Sequence, residues 1–131
     1  MLLGKSFLDS DATDFLIDIL EFGEEAIFFA KGRDTERPEI ERMRYLAIER
    51  LMELTSEALK RALKADPALV AEIPNISKIR GMRNRLAHKY DGIKIDIVWD
   101  AVLIHMPVLV EAVAAILQQR DEAEGTSAPA C

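Results

Sequence analysis

Cysteine is nearly missing from this chain of 131 residues: the single one, Cys131, is the last residue. No disulfide can form within the chain, which fits a reducing compartment and leads us to expect a cytoplasmic protein. A thiol there has no fixed base beside it, so Cys131 is not a candidate nucleophile. Aromatic residues make up only 6 %, and the apolar content is mostly Leu, Ile, Ala and Val. No alternating apolar run has strand character, so the composition favours helices. A glycine-rich phosphate loop is missing, and neither His105 nor any other residue has a second His or Cys at metal-ligand spacing. Those absences argue against P-loop and zinc chemistry, and no cofactor is expected. Met1 to Leu8 is too short for a secretory signal.

Half of the residues are hydrophobic, enough for one domain with a real core, expected over residues 1–120. Asp121 to Cys131 reads as a frayed acidic and small-residue tail. The formal net charge is -6, which speaks against a protein that coats nucleic acid non-specifically. Between Ala101 and Leu117 the only polar side chains are His105 and Glu111. Glu111 and the central Pro107 disfavour a membrane span, so a nearly surrounded bundle helix is expected instead.

Four helices are predicted. The first runs from about Ala12 to Lys31 behind a Ser10-Asp11 cap, with Leu16, Ile19, Leu20, Gly23, Ile27 and Ala30 at helical spacing. Pro38 opens the second, which continues to about Lys64. It carries two apolar stripes, one through Met43, Ala47 and Leu51 and one through Tyr45, Ile48 and Met52. One stripe would face the core and the other a second subunit. After a connection over Pro67 to Pro74, Asn75 or Ser77 caps a third helix that reaches about Lys89. The fourth spans about Asp96 to Arg120, with a kink expected at Pro107. Short connections point to an all-α antiparallel four-helix bundle.

The third helix holds the chemistry. Lys78, Arg80, Arg83, Arg85 and Lys89 follow one another with no Asp or Glu between them. Such a run is often just a solvated face, but a local basic patch can also draw a phosphate backbone. On an ideal helix Arg83 lies about 40° from the apolar Ile79, so its base should flank the core. A half-buried guanidinium needs an anion, either Glu53 or Glu57 of the second helix or a substrate phosphate. His88 lies about 180° from Ile79, facing water or another subunit. Tyr90 returns to the side of Arg83. Two-fold pairing of this helix would bring two Arg and two His into one groove, supplying both a base and an acid. His105, in the most apolar helix, is read as a hydrogen-bonded or subunit-interface residue.

Arg83-x4-His88-x-Tyr90, preceded by Gly81-Met82 and followed by Asp96-Ile97-Val98-Trp99, resembles the HEPN superfamily and, within it, the HepT-like toxins of toxin–antitoxin pairs. The resemblance implies a homodimeric, metal-independent endoribonuclease with a HEPN-like bundle. Arg83 would hold the scissile phosphate, His88 would transfer protons and Asn84 would help orient the site. Arg80, Arg85 and Lys89 would contact RNA. Tyr90 would be the residue to which a partner minimal nucleotidyltransferase, the antitoxin, adds AMP. The rival readings are a non-catalytic module that binds a nucleotide or a nucleotidyltransferase, and a structural dimer in which Arg83 is a buried ion-pair partner.

Overall fold

In a computed structural model of the protein, five helices follow one another among the described residues: α1 (Leu3–Lys31), α2 (Pro38–Ala65), α3 (Leu69–Glu72), α4 (Ile76–Ala87) and α5 (Ile95–Ser127). The structure describes the backbone of residues 3–32, 36–87 and 95–127, and the side chains of 12–32, 36–84 and 98–123. No strand occurs among them. The fold is the expected all-α bundle of four substantial helices. The single turn α3 occupies the connection between the second and third.

The bundle is organised by spacings of three and four. Along α1, Ala12, Leu16, Ile19, Ala26 and Ala30 are buried, with Gly23 filling the step between. Along α5, Trp99, Val102, Met106, Leu109, Val113 and Ile116 keep the same rhythm. Side chains at this spacing line one face of a helix. Gly23 sets how closely the two helices approach: a Cβ there would stand 2.6 Å from Val110 Cγ2 and 3.2 Å from Met106 Cε. Ile48, Met52, Leu59 and Ala62 of α2, with Ile79 and Met82 of α4, complete the core.

The helix ends have identifiable partners. The last carbonyls of a helix lack intrahelical donors. At the end of α1, the Gly32 N–H donates to the carbonyls of Phe28 and Phe29. Trp99 Nε1 donates to Ala30 O at 2.6 Å in the buried core, joining the start of α5 to the end of α1. Pro38 lies in the first turn of α2, where its missing N–H costs nothing. At the other end of α2, Arg120 of α5 pairs with Asp66 at 2.7 Å, both side chains about one-third exposed. Arg120 also donates to Thr13 Oγ1 at 3.5 Å. The α2–α3 corner is thereby tied to both long helices.

Several boundaries and faces differ from expectation. α1 starts at Leu3, so Ser10 and Asp11 lie inside it and do not cap it. No proline interrupts Leu3 to Asp11, so no residue in that stretch breaks the helix. α5 runs past Arg120 to Ser127 and continues through Pro107. Before α4, Asn75 has φ 63°, a left-handed conformation that Asn tolerates better than most residues. Its carbonyl accepts from the Ile79 N–H at 3.0 Å. Met43, placed on an apolar stripe of α2, is 68 % exposed. α5 is not a surrounded helix either. Val98–Ala123 is long and apolar enough to cross a membrane, by length and composition only, and 28 % of its most apolar window is buried in the protein. One face is committed to the core, and Ile104 and Val108 on the other are exposed.

Candidate active site

α4 is anchored by Ile79 and Met82, both buried. Arg80 and Asn84 point away from that face, because each step turns about 100°, while Arg83, about 40° from Ile79, stands at its edge. Arg80, Arg83 and Asn84 are exposed accordingly. They form one wall of a cleft of about 630 Å³ between α4 and α2. From α2 come Arg50, Glu53, Glu57 and Lys60, together with Leu54 and Ser56.

The charges in the cleft are unevenly matched. Arg50 pairs with Glu53 at 3.3 Å. Glu57 is held by Arg61, Nε to carboxylate, at 2.9 Å. Both pairs lie within α2 and are more than half exposed, so each contributes at most about 1 kcal/mol. They nevertheless occupy the two carboxylates. Among the described residues no ion pair joins Lys60, Arg80 or Arg83 to an acid. A protein with net charge -6 therefore keeps three unneutralised cations facing one concavity. That arrangement attracts a polyanion and can hold two or more of its phosphates.

Two expectations for Arg83 need correction. It is exposed and not half-buried, because the surface beside Ile79 opens into the cleft. Glu53 and Glu57 are paired with arginines of their own helix and not with Arg83. The reading of Arg83 as a buried ion-pair partner loses its premise. The structure brings Arg80, Arg83 and Asn84 together. Arg85 belongs to α4, but its side chain lies outside the described residues, as do His88, Lys89 and Tyr90 altogether. Sequence reasoning missed Arg50, Ser56 and Lys60. For Arg50 and Lys60 the signal was a polar stripe, Arg50-Glu53-Glu57-Lys60, at the same three-and-four spacing as the apolar stripes of α2.

On the other flank of α4 lies a smaller groove of about 300 Å³. There His105 of α5 faces Ser77, Lys78 and Gly81. A side chain at Gly81 would meet nothing within 4 Å. No cluster of three or more His, Cys, Asp or Glu suited to a metal occurs among the described residues.

The chain is thus an all-α bundle with a cationic cleft beside an Arg-Asn pair on a short helix. The chain belongs to the HepT-like ribonuclease family of the HEPN superfamily: the family described as "Ribonuclease HepT-like" matches residues 16–116. That span includes α2, α4 and the whole Arg83–Tyr90 motif. A candidate RNase of Methanocaldococcus jannaschii is 29 % identical over 112 residues, covering 86 % of this chain and 96 % of its own. Another candidate RNase of the same organism is 32 % identical, covering 81 % of this chain and 96 % of its own. A candidate RNase of Caldanaerobacter subterraneus subsp. tengcongensis is 34 % identical over 73 residues, 56 % of this chain and 64 % of its own. No solved structure matches the chain significantly.

Proposed function

We propose that this protein is the toxin of a toxin–antitoxin pair, an endoribonuclease that cuts RNA without a metal ion at a groove built on α4. The observation that carries this reading is the cleft between α2 and α4. Three cations there have no acidic partner among the described residues, and two of them flank Asn84 on the helix that bears the family's motif. Membership in the HepT-like family and the RNase names of its relatives support it.

In this reading Arg83 binds the scissile phosphate and spreads its charge in the transition state. Asn84 orients the same group. His88 moves the proton, since its ordinary pKa lies near neutrality. Cleavage without a metal needs a proton removed from the attacking hydroxyl and another delivered to the leaving oxygen. A homodimer that juxtaposes two copies of α4 supplies two histidines for those tasks. Arg80, Arg85 and Lys89 steer the RNA backbone. The antitoxin, a minimal nucleotidyltransferase, silences the site by adding AMP to Tyr90. The added phosphate repels RNA and the nucleoside occludes the groove.

The test is RNA cleavage in EDTA by the purified protein, with His88→Ala and Arg83→Ala beside the wild type. Cleavage by wild type alone is expected, with sedimentation at twice the chain mass. If a folded wild-type protein binds RNA or a nucleotidyltransferase yet cuts none of a varied set of RNAs, the nuclease reading gives way to a binding module. Co-expression with a minimal nucleotidyltransferase should add AMP to the chain, and Tyr90→Phe should abolish that addition.

A further inference from the structure

The outward stripe of α2 does not end at the cleft. From Lys60 back through Glu57, Glu53 and Arg50 it is charged, and then its character changes: Leu46 is 38 % exposed and Met43 is 68 % exposed. The positions 43, 46, 50 and 53 follow one another by three and four, so they are neighbours on one helix face. At 1.5 Å per residue, Leu46 lies about 6 Å and Met43 about 10 Å from Arg50 along the axis. An apolar step thus adjoins a cationic cleft on the same surface. Neither residue is needed by the core, which takes Tyr45, Ile48 and Met52 from the opposite side of the helix.

We infer that Leu46 and Met43 form a shelf on which nucleobases of the bound RNA pack, on the Arg50 side of the phosphates held in the cleft. The inference rests on the ribonuclease reading of that cleft. A single-stranded polyanion presents charge along its backbone and flat apolar faces beside it. A surface that sets exposed apolar side chains beside its cations lets base faces leave water as the backbone is neutralised. The free cations of the cleft take the backbone, and the exposed side chains next to them take the bases. An unbranched thioether adapts to any base face, so the shelf extends the binding site without strict sequence choice. Continuity with the cleft and its charge favour RNA over a protein partner as the occupant. The shelf binds nucleotides away from the bond that breaks, so its contribution falls on KM and not on kcat.

The experiment compares wild type with the double variant Met43→Gln, Leu46→Gln on two substrates, a reporter dinucleotide and a long single-stranded RNA. Glutamine preserves length and helix propensity, and melting checks that the fold is unchanged. The expected result is a KM for the long RNA raised about fivefold, about 1 kcal/mol, with kcat and dinucleotide cleavage unaltered. Equal KM values for wild type and variant on the long RNA overturn the shelf while leaving the nuclease intact. So does a variant that loses self-association in sedimentation, which would assign the surface to a second copy of the chain. A wild type that cuts neither substrate overturns the ribonuclease reading and the shelf with it.

Discussion

The cleft between α2 and α4 makes a quantitative prediction about salt. Four cations line it, Arg50, Lys60, Arg80 and Arg83. Arg50 is compensated by Glu53, which leaves three to displace counterions from RNA. For a single strand each phosphate contact contributes about -0.7 to the slope of log K against log salt, so three contribute about -2. Between about 50 and 200 mM salt the affinity should then fall about 18-fold. Lys60→Gln removes one contact and should reduce that fall to about 7-fold. Lys31, exposed at the end of α1 and outside the cleft, provides the control, because Lys31→Gln changes the net charge equally. The assay is fluorescence anisotropy of a 2′-O-methylated RNA, which binds without being cut, titrated at several salt concentrations. Equal slopes for the two variants would refute the reasoning. Binding would then follow the summed charge of the molecule and not the geometry of the cleft.

Other consequences concern the frame that holds the cleft. Gly23→Ala gains about 1 kcal/mol of helix propensity but drives a methyl to 2.6 Å from Val110 Cγ2; overpacking costs about 1–3 kcal/mol. Denaturant unfolding should show a net loss, and adding Val110→Ala should recover part of it as a measurable coupling. Trp99→Phe leaves the buried Ala30 carbonyl without the indole N–H and should cost about 2–4 kcal/mol in the same assay, from the orphaned acceptor and the lost volume together. Asn75→Gly should be tolerated at its φ of 63°, whereas Asn75→Val should lower the melting temperature, a left-handed valine costing about 1–2 kcal/mol. Burial, and after it the Glu49 carboxylate, hold the Tyr45 phenol above its ordinary pKa. The native state thus keeps this proton more tightly than the unfolded chain, and stability should fall as the pH rises past the ordinary phenol range. Tyr45→Phe should flatten that alkaline decline in pH-dependent unfolding.

How much of this was legible beforehand depends on the kind of signal. The order of helices was readable because apolar residues recur at three and four, and because Pro38, Gly32 and Asp66-Pro67 punctuate them. The end of α5 was not. Asp121 to Glu124 is as compatible with helix as with a tail, and Gly125 did not stop the helix before Ser127. Exposure of α5 was misjudged for a related reason. A helix that is apolar all round announces burial on every side, yet among the described residues the buried face runs through Trp99, Met106 and Leu109 while Ile104 and Val108 are exposed. The α4 motif was legible as residue types in a row, whereas the opposite wall of its cleft was not. Arg50 and Lys60 are ordinary surface residues until a second helix is laid beside them.

The same comparison explains why an acidic protein can carry a site for an anion. Net charge is a sum over the surface, but a polyanion responds to the charges within a Debye length of its path, about 8–10 Å. Within α2, Glu53 and Glu57 are turned to Arg50 and Arg61 by i,i+3 and i,i+4 spacing. That local pairing consumes the carboxylates closest to α4. Had either glutamate reached across to Arg80 or Arg83, the cleft would be electrically closed. Intrahelical ion pairs worth little to stability therefore have a second effect: they leave the cations of the neighbouring helix available. Arg61→Gln tests this directly, since it frees Glu57 to face Arg80 and should weaken RNA binding although Arg61 does not line the cleft. Binding unaffected by that change would show that the carboxylate was never in contention.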